Sequence, residues 1–195
     1  RLDAVAFLWK QIGTRCLHLP QTHEVVKLLR DVVNFVAPEV VVITETNVPV
    51  VENLSYFGES DEAHMVYQFG LPPLVLHALN RGNSSFISDW ADSIPVLPKG
   101  CSYLNFTSSH DGIVSMKANS DGSESPYEIN ITLFDACMGT RRGVDHFQVQ
   151  RFLCSQAIML AMQGIPALYI HSFTASANDL AHVEQTGRTR SINRK

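Results

Sequence analysis

Cysteine is scarce in this chain of 195 residues: Cys16, Cys101, Cys137 and Cys154 stand far apart and share no paired spacing. That excludes a disulfide framework and a C-x-x-C metal or redox motif. The four read as reduced thiols of a cytoplasmic protein, serving as packing residues. Basic runs are short as well. None exceeds Arg141-Arg142, and a net charge of −4 spread along the chain makes neither nucleic acid nor an anionic membrane an expected partner. The longest apolar stretch, residues 157–162, is cut by Gln163-Gly164 and Pro166, well short of a bilayer span. No signal peptide is expected, and a chain opening at Arg1 without methionine is expected to have lost its natural start.

A chain of this length can bury one good core. Apolar residues at helical spacing predict a helix over 22–33, with Thr22 as N-cap and Pro38 shortly beyond the end. The β-branched run 40–44 reads as a strand buried on both faces, the habit of parallel sheets. A polar loop follows through Asn47, Pro49, Asn53 and Gly58. Residues 64–69 form a short strand candidate, and Leu71-Pro72-Pro73 opens a helix, since a first turn tolerates proline. Further strands are expected at 103–107 and 166–171, a turn at His110-Asp111-Gly112, a solvated loop over 119–126 and a long amphipathic helix over 145–162. Strands alternating with helices, without internal repeats, mean α/β with parallel pairing.

Three carboxylates then share one structural position. Asp3 closes Arg1-Leu2-Asp3, Glu45 follows the strand at 40–44, and Asp111 follows the one at 103–107. Catalytic groups of α/β sheets gather at the carboxyl ends of strands, and acids collected there suit glycosidic-bond chemistry. Arg1 points to the same side of a strand as Asp3 and would keep it ionised; an ordinary structural ion pair fits equally. Glu45, emerging from an apolar strand, is placed to donate a proton, or to cap or anchor a loop. His110-Asp111-Gly112 supplies a donor and an acid, or is a plain Asp-Gly turn. His18 and His23 lack further ligands at metal-binding spacing, so structural roles and no metal site are expected. Trp9, Trp90 and Tyr169 read as packing residues. Four N-x-[ST] tripeptides, at Asn53, Asn83, Asn105 and Asn130, are too common a pattern to indicate secretion.

Arg1-Leu2-Asp3-Ala4-Val5-Ala6-Phe7, Thr44-Glu45-Thr46-Asn47-Val48-Pro49 and Ser109-His110-Asp111-Gly112-Ile113 resemble three successive motifs of the α-amylase superfamily, glycoside hydrolase family 13. More narrowly they are similar to its sucrose phosphorylase-like branch. Supporting matches lie at residues 10–16, 69–74, 121–130, 164–166 and Arg190-Ser191-Ile192-Asn193-Arg194. The resemblance implies a (β/α)₈ barrel, present here as about its strands 4 to 8. It implies a retaining double displacement on an α-glucoside that yields α-glucose 1-phosphate, with inorganic phosphate as co-substrate and no cofactor. Asp3 would be the nucleophile, Glu45 the acid/base and Asp111 the transition-state stabiliser. Arg1, Phe7, His110, Tyr127, Glu128 and Arg190 would bind substrate, with Asp3 and Glu45 at the retaining separation of about 5–5.5 Å. Glu128, where plain sucrose phosphorylases have glutamine, and the motifs around Phe7 and Glu45 point toward phosphorylases of glucosylglycerate, glucosylglycerol or sucrose 6′-phosphate. Glycerate, glycerol, fructose and fructose 6-phosphate stay open as acceptors, as does a homodimer.

Departures from the branch are equally specific. The first three barrel strands, the early donor-binding segment and the C-terminal domain are absent, and some two dozen residues of an inserted subdomain are missing after Ile113. Residues 1–195 therefore read as a partial catalytic barrel, with 112–130 a shortened inserted-subdomain and acceptor-loop region. Val50 stands where close relatives carry histidine, and Arg15 replaces a small residue. A piece of a longer enzyme, or a sequence broken between Ile113 and Val114, would explain this. An inactive barrel remnant and a hydrolase or transglucosylase of the same superfamily are the rival readings.

Overall fold

The computed structural model describes residues 1–118, 120 and 124–194. The chain divides into two compact units, Arg1–Gln68 with Pro95–Leu104, and Phe69–Ile94 with Asn105–Lys195.

In the first unit a short 3-10 turn, Val5–Phe7, precedes helix α1, Pro20–Val36. Pro20 takes the first helical position, where its missing N–H costs nothing, so the helix starts two residues before the expected cap. Thr22 lies inside that first turn, fully buried, and its Oγ1 accepts the Trp9 N–H at 3.3 Å. Pro38 disfavours helical geometry at Ala37, and the helix ends there.

Strand β1 is only Ile43–Thr44, shorter than the β-branched run that announces it. The His64 Nδ1 accepts the Val42 N–H at 3.0 Å, so a side chain takes the bond a neighbouring strand would have made. Val40 and Val41 stay nearly half exposed. Helix α2, Val50–Leu54, and a 3-10 turn, Ser55–Phe57, occupy the expected polar loop. Strands β2, Met65–Tyr67, and β3, Ser102–Asn105, complete a parallel set in which Thr44 pairs with Val66 and Val66 with Tyr103. Leu2 bridges Thr44, also in parallel. The buried interior draws on Val26, Tyr56, Phe57, Ala63, Val66 and Tyr103.

His18 and His23 have structural partners. The His18 Nδ1 lies 3.0 Å from the Tyr56 hydroxyl, and the His23 ring stacks on Tyr56 while its Nδ1 meets the buried Glu62 carboxylate at 2.9 Å. Asn53 is buried too; it accepts from the Thr46 hydroxyl at 2.6 Å and donates to the Tyr67 carbonyl at 2.9 Å, which removes it as a glycosylation site.

The second unit begins with α3, Leu71–Arg81, with proline in its first turn and Gly82 in the left-handed conformation past its end. Helix α4, Ser85–Ser93, follows, where the sequence reading placed no element; its Ile87 and Trp90, at helical spacing, pack on the core. Strands β4, Ile113–Ala118, and β5, Glu124–Ile129, pair antiparallel as a hairpin. Glu124–Pro126 thus belong to a strand rather than to the expected solvated loop, because the ladder to β4 satisfies their backbone; residues 119 and 121–123 of that loop lie outside the described residues. Ile113 and Val114, the first two residues of β4, are both buried.

Helix α5, Leu133–Ala136, is capped by Thr132, whose hydroxyl accepts the Asp135 N–H. Two-residue strands β6, Gly139–Thr140, and β7, Gly143–Val144, lead to α6, Gln148–Ala161. Helix α6 begins three residues after the expected start at Asp145: the Asp145 carboxylate accepts the Phe147 N–H at 2.8 Å and pairs with Arg151 at 2.7 and 3.0 Å, standing just outside. Strand β8, Ile165–Pro166, lies beside Asn105, whose carbonyl accepts the Ala167 N–H at 2.7 Å and whose amide donates to Gln163 O at 3.0 Å. The expected strand over 166–171 stops there. Residues Ile170–Phe173 form helix α7 instead, with α8, Leu180–Thr186, and a 3-10 turn, Thr189–Asn193, after it.

The core of this unit has two centres. Leu71, Val75 and Met159 pack with Trp90, and Ile113, Leu133, Cys137 and Phe152 with Phe134. Trp90 is a packing residue for a visible reason: a side chain at Gly70 would lie 3.0 Å from its indole nitrogen. Tyr169 anchors backbone, donating to the Asn193 carbonyl at 2.6 Å. Cys137 is buried as expected, whereas Cys154 is exposed on α6 and is no packing residue. Large apolar side chains such as Phe35, Val36, Val96 and Phe173 lie open, as a partial barrel would leave them. Among the described residues no helix is long and apolar enough to cross a membrane.

Burial pushes the His18 and His64 imidazoles below the usual histidine range. The unfolded chain then binds more protons than the folded one in that window, so stability is lost as pH falls through about 6.5. Urea midpoints of the full chain should therefore drop between about pH 7.5 and 5.5. His64→Gln, whose amide oxygen can still accept from Val42, should show a smaller drop; an unchanged one would count against the assignment.

Candidate active site

The first group of acids is built on backbone pairing. Leu2 donates to Ile43 O at 2.8 Å and accepts the Glu45 N–H at 3.0 Å. Asp3 and Glu45 are therefore the residues that immediately follow two paired extended segments, at equivalent ends. Beyond Asp3 the chain turns sharply, with Ala4 at φ 45° in the left-handed region, a conformation costing about 1–2 kcal/mol in a residue with a Cβ. Strain of this kind persists where the surroundings fix it, and it gathers at functional sites.

Arg1 reaches both acids. One terminal nitrogen pairs with the Asp3 carboxylate and the other with Glu45 Oε1 at 3.3 Å. The guanidinium is held charged first by a hydrogen bond to the Tyr67 side chain, then by the charges of Glu45 and Asp3, against some loss of hydration. The two carboxylates differ in exposure: the Asp3 side chain is 69% accessible, that of Glu45 19%. Behind Glu45, the Thr46–Asn53–Tyr67 bonds fix the loop. Phe7 sits half exposed on the adjoining 3-10 turn, with the Lys10 ammonium 5.4 Å from its ring centre.

The second group lies in the second unit. Ser109 and Gly112 exchange both backbone hydrogen bonds at 2.9 Å, closing the turn that presents His110 and Asp111. Gly112 stands at φ 86°, and a Cβ there would meet the Ile129 carbonyl oxygen at 2.4 Å. Only glycine fits that position. Asp111 accepts from Arg194 Nη2 at 2.5 Å, with Arg190 Nη1 at 3.2 Å and His110 Nε2 at 3.5 Å.

Arg190 in turn is clasped by Glu128, its Nε donating to Oε2 at 2.8 Å and its Nη2 to Oε1. That bidentate bond is the first cause of its raised affinity for the proton, with Asp111 adding to it. Tyr127, next to Glu128 on β5 and half exposed, points to the opposite face of the strand from it. The backbone of the turn is held from the other side by Asn193 Nδ2, which donates to Ser109 O at 2.5 Å, and by Arg194 Nε, which donates to His110 O at 2.9 Å.

The expected residues thus fall into Arg1, Asp3, Glu45 and Phe7 in one unit, and His110, Asp111, Tyr127, Glu128 and Arg190 in the other. Sequence reasoning missed Tyr67, Asn193 and Arg194. For the last two a signal existed, since both lie in the motif that carries Arg190; for Tyr67 nothing local marked it.

No family model matches the chain. Among curated proteins it is similar to the glucosylglycerate phosphorylases of Escherichia coli (45% identical, 100% of this chain, 40% of that protein) and Spirochaeta thermophila (44%, 100%, 38%). The chain therefore spans about 40% of the length of the curated relatives it matches. Each match extends over 223 positions, 28 more than the 195 residues present here. Among solved structures, sucrose 6F-phosphate phosphorylase from Thermoanaerobacter thermosaccharolyticum superposes with a TM-score of 0.77 at 20% identity, over 98% of this chain and 42% of that one. At that identity the likeness concerns the fold: α/β, the C-terminal part of a (β/α)₈ barrel.

The geometry at Gly112 is testable. Gly112→Ala should lower the stability of the full chain by about 2 kcal/mol or more, combining left-handed strain with a backbone clash. Equilibrium denaturation checks it, and a shift within about 0.5 kcal/mol would show that the turn relaxes freely.

Proposed function

Because this chain belongs to the sucrose phosphorylase-like branch of the α-amylase superfamily, we propose that it forms the acid-bearing part of a retaining α-glucoside phosphorylase. The observation that carries the reading is the single Arg1 guanidinium shared by Asp3 and Glu45 at the ends of paired segments. It supports two carboxyl groups side by side, the arrangement that a double displacement needs.

In that reaction Asp3, kept anionic by Arg1, attacks the anomeric carbon. Glu45 gives its proton to the departing oxygen as the glycosidic bond breaks, leaving a β-glucosyl ester on Asp3. The Glu45 carboxylate then accepts the proton of an incoming hydrogen phosphate. A phosphate oxygen attacks the same carbon, Asp3 is released, and two inversions leave α-glucose 1-phosphate. Asp111, with Arg190 and His110, is proposed to hold sugar hydroxyls through the cation-like transition state. Phe7 would offer an apolar face to the sugar, and Tyr127 and Glu128, within the 112–130 acceptor-loop region, would meet phosphate or acceptor. Chemistry of this kind calls for phosphate as co-substrate and for no organic cofactor or metal.

Glycerate is the acceptor we favour, on the similarity to glucosylglycerate phosphorylases. The cytoplasm is the compartment we favour, consistent with four free thiols. A homodimer is the assembly proposed alongside it.

The deciding assay is phosphate-dependent release of α-glucose 1-phosphate from glucosylglycerate and from sucrose by the full chain. Release of glucose in place of the phosphate ester would indicate a hydrolase or transglucosylase, and inertness on every glucoside an inactive remnant. Asp3→Asn should cut turnover by about four orders of magnitude while the circular dichroism spectrum stays unchanged. Glu45→Gln should cost roughly 10²–10⁴-fold on poor leaving groups and far less on a glucosyl fluoride, which needs no proton. Equal losses on both would remove Glu45 from the acid/base role.

A further inference from the structure

We propose that Arg188 recognises the anionic group of the molecule that receives or releases the glucosyl unit, a carboxylate or a phosphate, and so selects charged acceptors over neutral ones. This deepens the phosphorylase reading and rests on it. A hollow of about 890 Å³ opens in the second unit, lined by Glu128, His182, Arg188, Arg190 and Arg194 among others. Its volume is that of a small-molecule site.

The charges around it do not cancel. Arg190 is committed to Glu128 through two hydrogen bonds and to Asp111 through its remaining nitrogen. Arg194 is committed to Asp111 and to the His110 carbonyl. Those two cations and two carboxylates neutralise one another. Arg188 is left over: among the described residues its guanidinium forms no ion pair. Its backbone is nevertheless fixed. Gly187 ends α8 in the left-handed conformation, the Arg188 N–H donates to Thr186 Oγ1 at 3.3 Å, and its carbonyl accepts from Ser191 N at 3.0 Å. Thr186 and Ser191 also join their hydroxyls at 2.7 Å. A guanidinium fork carried on a fixed backbone and paired with no acid suits a carboxylate or phosphate, which it can grip with two parallel bonds. The neighbouring His182 adds a further donor to the same wall. Glu128, already neutralised by Arg190, does not repel the guest.

Equilibrium binding of glycerate, inorganic phosphate and glycerol to the full chain tests this, comparing wild type with Arg188→Gln and Arg188→Lys. Arg188→Gln should weaken anion binding about tenfold and leave glycerol unchanged. Arg188→Lys should recover part of the loss, since it keeps the charge but not the fork. Loss confined to glycerate assigns the carboxylate, and loss confined to phosphate assigns the co-substrate. In the direction of glucoside synthesis, KM for the affected anion should rise with kcat little changed. Unchanged affinities for both anions, failure of either to bind the wild type, or an equal loss for glycerol would overturn the assignment. Absence of phosphorolysis in the wild type would instead overturn the phosphorylase reading, and the binding constants would still judge Arg188.

Discussion

Carboxylates brought to neighbouring strand ends repel one another, and both candidate groups depend on guanidinium groups set among them. Two bare carboxylates about 5 Å apart would cost roughly 3 kcal/mol at the effective dielectric of a protein surface. Arg1 pairs with both Asp3 and Glu45, and Arg190 with both Asp111 and Glu128. Arginine suits the position because its fork can meet two acids at once and stays charged at any physiological pH. The exposures of Asp3 and Glu45 then separate the pair: the first side chain lies largely in water, the second is largely withdrawn from it.

Backbone geometry sets where those charges stand. The Leu2 bridge to Thr44 fixes the register, and a slip of one residue would turn Asp3 or Glu45 to the other side. Around Asp111 the constraint is steric, since the doubly bonded Ser109–Gly112 turn passes so close to Ile129 that no side chain can be admitted. Asn193 and Arg194 hold the same turn by its carbonyls. The 3-10 turn that carries them therefore supports Asp111 as well as pairing with it. Arg188, at the entrance to that turn, is the cation this network leaves unused.

Much of the fold was legible locally. The apolar spacing of α1 and α6, the prolines that open α3 and the strands at 43–44, 65–67 and 102–105 all carried their own signals. Where the reading failed, a long-range bond had overridden the local pattern. His64 took the Val42 N–H and shortened β1, Arg151 drew Asp145 out of α6, and pairing with β4 turned the polar stretch Glu124–Pro126 into strand. Helix α7 took the place of the expected strand end at Ile170, where backbone N–H groups bond locally, those of Ser172 and Phe173 to Tyr169 O.

For the site, the order of residues alone identified which acids follow strands and which motifs accompany them, because that chemistry is written in short contiguous segments. It could not say which charges meet. The Arg1–Glu45 pair joins residues 44 positions apart, Glu128–Arg190 62, and Asp111–Arg194 83. Partners at such separation leave no periodic trace in the chain, since their meeting is fixed only when the intervening elements have packed. The tertiary structure decided that two arginines of one motif, Arg190 and Arg194, are consumed by acids, while Arg188, two residues before the first of them, forms no ion pair among the described residues.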